Sequence, residues 1–486
     1  MGRKKTPVTI DSPRLELDEA EMRALVSRAA EFAIRHVASL PRQPVHAVAG
    51  GKKLAASLRE DLPERGAPVD RLLRTLFGKA FPTSLNTASP GYLAYIPGGG
   101  LFQSAVADFI GLAVNRYVGV WLAAPGLVQI EQNVIDWFNK MVGFPLGSGG
   151  LLTSGGSMAN LIALVTARRT LLPPDFMRGV VYASDQAHHS VLKAALFAGV
   201  PEDNVRSIPS GHDQRIDIGA LEARLSADRA RGLVPFFVCA NAGSTNTGAI
   251  DDLASVVRVA RSAGAWAHAD AAYGGFFVMT DRGRAALAGL ELFDSITLDP
   301  HKGLFLPYGT GCLLVRDRAT LRRAHAVRAA YMPPSQVDPE HTDFADMGPE
   351  LSRDARGLRI WLPIKMHGAG AFRTALDEKL DLARAAATAL SAFEGVELVA
   401  PPALSLFAFR YRPENLDDEA TLEKVNRRLM SLVNDEQRVL LTGTRLGSRF
   451  VIRVCVLSFR THADRIDDLV SGVERAIQVL RRGPVG

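Results

Sequence analysis

The chain has 486 residues, of which 47% are hydrophobic and 22% charged, with a formal net charge of +6. That length can bury large cores and more than one folded unit, in the composition of an ordinary globular protein. The positive excess is spread over arginines in predicted helices, not gathered in a basic stripe with interleaved aromatics, which argues against a nucleic-acid partner; no apolar run approaches the roughly 20 residues of a membrane span.

The first predicted elements are helices, from about Leu15 to Phe77. "ELDEAEMRALVSRAAEFAIRHVASL" has apolar residues at helical spacing and an acidic first turn that suits the helix dipole. The basic opening "MGRKKTP" is followed by no apolar stretch and does not read as a signal peptide. From about Pro90 the chain turns glycine-rich, in "SPGYLAYIPGGGLFQ". Strand, glycine turn and helix then recur in "GGLLTSGGSMANLIALVTARRTLL", "GVVYASDQAHHSVLKAALFAG" and "VPFFVCANAGSTNTGAIDDLASVVRVARSAG". "AWAHADAAYGGF", "DSITLDPHKG" and "YGTGCLLVRD" add further strands. This alternation predicts an α/β domain with a large, mostly parallel sheet. The loop 331–349, "YMPPSQVDPEHTDFADMGP", is long and rich in proline and acid, a type that often serves as a functional lid. A long helical stretch follows, then a smaller α+β pattern. The composition shifts divide the chain into an N-terminal helical segment (1–88), a large α/β domain (89–365) and a small α+β domain (366–486). Cys239, Cys312 and Cys455 lie far apart in apolar, strand-like runs and read as free thiols of a reducing compartment, the cytoplasm.

In open α/β sheets, ligands bind beyond the carboxyl ends of the strands. Five consecutive strand ends here carry polar, glycine-flanked groups: "TSGGSMAN", "SDQAHHS", "NAGSTNTG", "HADAAYGG" and "DPHKG". In the first, Gly155 and Gly156 let backbone N–H groups approach a ligand and Ser157 offers a hydroxyl, at a helix start that favours an anion. The turn is neither a Walker loop nor G-x-G-x-x-G, so a nucleotide is not indicated. Asp270 ends an apolar strand and needs a permanent partner, either a structural one or a protonated heterocyclic nitrogen. Ala272 is small enough for a flat ring to lie against it. His188 and His189 begin a helix; adjacent histidines cannot share one metal along a helix, and no metal is expected. Either a cap or a ring-stacking role fits His188. Lys302 sits in a nearly uncharged run, where an apolar pocket would ease loss of its charge and make the amine nucleophilic. Each feature alone has a plainer role as a capped turn, an ion pair or a surface lysine. Together they describe a site for pyridoxal phosphate.

These motifs, in this order and at these separations, resemble the group II pyridoxal-phosphate-dependent decarboxylases, which include the aromatic-amino-acid, histidine and glutamate decarboxylases. The resemblance runs from about Pro90 to the C-terminus and includes "LSRDARGLRIWLPIKMHG" and "LTGTRLGSRFVIRVCV". It implies an aspartate-aminotransferase-like fold: a large, mostly parallel seven-stranded sheet domain with a smaller α+β C-terminal domain. It also implies a homodimer with active sites shared at the subunit interface. It matches Lys302 to the Schiff-base lysine, Asp270 to the pyridinium partner, and His188 and Ala272 to the two faces of the ring. Thr245 matches a threonine near the cofactor and His301 a histidine near its phosphate; Gly155, Gly156 and Ser157 match the phosphate turn. Tyr331 falls where the family's loop carries its catalytic tyrosine. The chain departs from many aromatic-amino-acid decarboxylases in having Gly303 where they have tryptophan, a less serine-rich phosphate turn, and a "VGVWLAAP" segment one residue shorter. Tyr92, Tyr95, Leu101, Tyr117 and Trp121 are expected to form an apolar, aromatic wall, which favours an aromatic substrate. The expected reaction is decarboxylation of an L-amino acid to its amine. The rivals are a same-fold aminotransferase or aldehyde-forming enzyme and, in another class, an inactive scaffold relative, against which the intact Lys302 and Asp270 argue.

Overall fold

Between Gly149 and Val315 the buried, mostly apolar runs become seven strands: β1 (Gly149–Thr153), β2 (Gly179–Ser184), β3 (Val205–Ile208), β4 (Val234–Asn241), β5 (Trp266–Asp270), β6 (Ser295–Leu298) and β7 (Gly311–Val315). They form one sheet in the order β1-β7-β6-β5-β4-β2-β3. Only β7 runs against the others, pairing antiparallel with both β1 and β6. The C-terminal ends of β1, β2, β4, β5 and β6 therefore share one edge, and the start of β7 meets them there. Strands buried on both faces are what a sheet covered by helices requires; in β1, β2, β5, β6 and β7 every residue is buried.

The structure, a computed structural model, describes residues 15–327 and 341–483. The chain separates into two units, Met1–Ser89 and Pro90–Gly486. The described residues of the first unit, 15–89, form helices joined by short loops. Its long helix, Glu19–Ser39, starts at a capping box in which Asp18 and Glu21 each accept the other's backbone N–H. A cluster of Phe32, Phe77 and Phe81, with ring centroids 5.4 and 4.9 Å apart, ties that helix to the end of the unit. No residue of Glu19–Ser39 is buried in the chain.

The second unit holds the seven-stranded sheet and a four-stranded antiparallel sheet of β8 (Val396–Ala400), β9 (Leu406–Tyr411), β10 (Thr442–Leu446) and β11 (Arg449–Cys455), in the order β10-β11-β9-β8. A helix, Arg356–Ser391, precedes the small sheet and breaks its helical geometry at Gly368, where φ is 74°. Helices Glu419–Asp435 and Ala463–Arg482 cover the small sheet, with Leu429, Val433, Leu469 and Val473 in its core.

Candidate active site

Five loops at the shared strand edge enclose a cavity of about 290 Å³. Gly155, Gly156 and Ser157 reach it after β1, His188 after β2, Thr245 after β4, Asp270 and Ala272 at the end of β5, and His301 and Lys302 after β6. The structure thus brings together nine of the residues singled out in the sequence. Tyr331 lies outside the described residues.

Asp270 is held from behind by a chain of donors that all point the same way. Trp266 Nε1–H donates to Ser295 Oγ at 2.8 Å, and Ser295 Oγ lies 2.7 Å from His268 Nδ1. His268 Nε2 lies 3.0 Å from Asn160 Oδ1, and Asn160 Nδ2 donates to Asp270 Oδ2 at 3.0 Å. Asn160 Oδ1 can only accept, so His268 carries its proton on Nε2, and the serine hydroxyl must donate to Nδ1. Burial pushes His268 down to about 4, against the opposing pull of Asp270, so the ring is neutral. Ala272 N–H donates to the other oxygen, Asp270 Oδ1, at 3.2 Å. Register explains the assembly: in a strand, residues two apart share a face, so His268 and Asp270 both face the helix Gly156–Leu171 that carries Asn160, and His268 pairs with Ser295 of β6.

The same amide fixes His188. Asn160 Nδ2 also donates to Ser190 Oγ at 2.9 Å, and Ser190 Oγ lies 2.8 Å from His188 Nδ1. The Ser190 backbone N–H, which can only donate, lies 3.3 Å from the same nitrogen. Nδ1 is therefore an acceptor and Nε2 bears the proton. Burial pulls His188 below the ordinary histidine range, only partly offset by Asp270, so it is neutral at pH 7.

Lys302 corrects one expectation. Its pocket is not apolar: Nζ lies 2.9 Å from Asp299 Oδ2. Burial disfavours the ammonium, but Asp299, and then Asp270, outweigh it and the net shift is upward. The lysine is an ion-paired ammonium in the free protein, not a neutral amine. His301 Nδ1–H donates to the Thr310 carbonyl at 2.7 Å. Thr245 sits on a loop whose carbonyls, its own and that of Asn246, accept from Arg453 of β11, so the small sheet braces the cavity.

Residues 52–412 match the pyridoxal-dependent decarboxylase conserved domain. The chain belongs to the pyridoxal-dependent decarboxylase family. It is 36% identical over 456 residues to the aromatic-L-amino-acid decarboxylase of Bacillus atrophaeus, an alignment covering 94% of this chain and 95% of that protein. Among solved structures it matches Oryza sativa TDC with PLP and tryptamine at a TM-score of 0.92 and 29% identity, over 96% of this chain and 100% of that one. It also matches Rhodiola rosea 4-hydroxyphenylacetaldehyde synthase at 0.89 and 25%, over 96% and 99%. The fold expected from the sequence is borne out, and so are the enzyme class and pyridoxal phosphate as its cofactor.

The cavity of this decarboxylase fits that group. Beside Asp270, in register with it across β4 and β5, Asn241 has a buried Nδ2 with no hydrogen-bond partner. A donor left unmet inside a polar cavity calls for an acceptor from a bound molecule, and the oxygen-rich cofactor supplies several. Gly303 also finds its reason. A Cβ there would come within 2.6 Å of the Phe276 Cβ, so Phe276 occupies the space a side chain at 303 would need.

The expected aromatic wall is not gathered around this cavity. Leu101 lines a separate apolar cavity of about 250 Å³ with Phe305, Phe372 and Phe459. Tyr92 is buried where it bridges to Leu440, and Tyr95 is 54% exposed. Trp121 stacks on His341, ring centroids 3.7 Å apart, and its backbone N–H donates to Asp343 Oδ1 at 2.7 Å. Tyr117 is partly exposed, packed close to Gly119. Sequence reading missed Asn160, Ser190, His268, Asn241 and Arg453. For His268 the signal was available in "HAD", whose alternation places the histidine on the same face as Asp270.

Proposed function

We propose that this decarboxylase acts on an aromatic L-amino acid, releasing carbon dioxide and the corresponding amine, as a cytoplasmic homodimer with shared active sites. The observation that carries the reading is the convergence of Lys302 and the donor-fed Asp270 on one cavity at a helix N-terminus. When bound, pyridoxal phosphate supplies a ring that accepts the electron pair left on the α-carbon as the carboxylate departs. Lys302 would hold it through Nζ, and Gly155, Gly156 and Ser157 would hold its phosphate at the helix start. His188 and Ala272 would flank the ring, with Thr245 and His301 beside them. Asp270 would hold a proton on the ring nitrogen, since the donors behind it leave it an acceptor alone. Asp299 receives the Lys302 ammonium whenever that amine is displaced. His188 presents a proton on Nε2, and Tyr331 is the phenol that returns a proton to the α-carbon.

The aromatic class is supported by the Bacillus relative, named an aromatic-L-amino-acid decarboxylase, and by the Oryza structure with tryptamine. The Rhodiola neighbour, an aldehyde synthase, keeps a second outcome in view; Tyr331 favours the amine. Sharing of sites is supported by two features. The helix Glu19–Ser39 has no fully buried residue, and its Met22, Leu25, Val26 and Ile34 are apolar and exposed; Phe102, Phe109, Ile110 and Leu112 expose a second apolar face. Among the described residues the cavity's lining contains one Phe, Tyr or Trp residue, Tyr273, which favours a wall for an aromatic side chain drawn in part from the partner copy. Three unpaired, buried cysteines support a reducing compartment. The test is carbon dioxide release across the twenty amino acids and hydroxylated aromatics, with products identified by mass spectrometry. Aromatic substrates giving amines are expected; preference for acidic or aliphatic substrates overturns the substrate class.

A further inference from the structure

Asp299 is the charged group in the cavity that the cofactor reading leaves without a role once Lys302 is engaged. It is 2% exposed, and its Oδ1 is buried with no hydrogen-bond partner. Its carboxylate faces the first turn of the helix Gly156–Leu171: a Cβ on Gly156 would lie 3.0 Å from Oδ2 and 3.3 Å from Oδ1. That turn is where the phosphate is expected, so a carboxylate stands where an anion must bind. An ionised carboxylate accepts hydrogen bonds and donates none. Against a fully ionised phosphate it could only repel.

We propose, resting on the pyridoxal-phosphate reading, that Asp299 makes this site take a phosphate monoester together with one proton, held between Asp299 Oδ1 and a phosphate oxygen. The proton turns a repulsion into a charge-assisted hydrogen bond, of the short and strong kind. The other phosphate oxygens are left to the helix N-terminus, whose first N–H groups have no partner within the helix. The groups facing Asp299 do not supply the proton's role in its place. Lys302 is the amine expected to carry the cofactor. His301 Nε2 is 3.7 Å from Oδ2, beyond hydrogen-bond distance, and its Nδ1–H is used by the Thr310 carbonyl. From the neighbouring strands and helix, Asp270 and Cys312 add no positive charge, and His188 is neutral with its Nδ1 bound to Ser190.

The test uses the full-length chain freed of cofactor, in a Lys302→Ala background shared by every protein compared, so that no ammonium faces Asp299 and wild type refers to position 299; the probe is pyridoxine 5′-phosphate, which has the ring and the phosphate. Phosphate monoesters lose their second proton near pH 6, so above pH 7 the wild-type protein must take up about one proton on binding. Calorimetry in buffers of different ionisation heat reads that number directly, and the dissociation constant should weaken by about tenfold per pH unit between 7 and 8.5. Asp299→Asn puts a donor in place of the acceptor, and Asp299→Ser removes the carboxylate. Both should lower the uptake by about one proton and flatten the slope. Uptake below half a proton in the wild type overturns the proposal, whatever the variants do. A slope that survives in both variants puts the proton elsewhere and also overturns it. Absence of binding by the wild type overturns the cofactor reading itself, a result distinct from binding without proton uptake.

Discussion

Replacing Asn160 with alanine removes four hydrogen bonds at once: to Asp270, Ser190, His268 and Thr297, at 3.0, 2.9, 3.0 and 2.7 Å. Three of the partners have somewhere to turn. Thr297 Oγ1 already lies 3.4 Å from His268 Nε2, and Ser190 keeps His188. The donor to Asp270 Oδ2 is not replaced. A hydrogen bond to a charged group contributes about 1.5–3 kcal/mol, or about 10- to 150-fold, and that is the expected fall in kcat/KM for amine formation, with a lower melting temperature. Asn160→Asp has the same size but sets a second negative oxygen in place of the amide nitrogen 3.0 Å from Asp270, so it should lose more than alanine. The assay is steady-state amine formation alongside the absorbance of the bound cofactor. An Asn160→Ala enzyme within about twofold of wild type, with an unchanged cofactor spectrum, would refute the support role.

Asp270→Ala should keep the cofactor through its phosphate but nearly abolish turnover, while Asp270→Glu retains part of it; near-native activity in the alanine variant would leave Asp270 a structural carboxylate. Tyr331→Phe should slow proton return, a step worth about 10²–10⁴-fold to general acid catalysis, and divert product to aldehyde with oxygen consumed, as an oxygen electrode and mass spectrometry would report. Mixing Lys302→Ala and Tyr331→Phe proteins, neither of which should form amine at an appreciable rate, should restore amine formation through hybrid dimers with one intact site; no recovery of amine after verified subunit exchange counts against shared sites.

The parts of this site that sequence makes legible are those with local causes. Glycine pairs, a helix start after a strand, and a lysine in an uncharged run mark the strand ends, because parallel strands deliver their ends to one edge. For Lys302 the sequence shows the position at a strand end but not the ion pair that keeps its amine charged. Asp299 was visible three residues away, but only the short helix Pro300–Gly303 turns its carboxylate onto the amine. The donor chain behind Asp270 escaped because Asn160 lies 110 positions from Asp270 and 137 from Thr297, and nothing local announces that register. The aromatic residues are a different case. Aromatic residues near a glycine-rich run suit a pocket and a packing surface equally well, and Trp121 is used against His341 and Asp343.

The proposed function rests on Lys302 as the residue that carries the cofactor. Borohydride reduction of the cofactor-loaded protein, followed by peptide mapping, tests this most directly. A single phosphopyridoxyl adduct is expected on Lys302, in the peptide "SITLDPHKG", absent from a Lys302→Ala protein. An adduct on another lysine, or none in protein replete with cofactor, contradicts it.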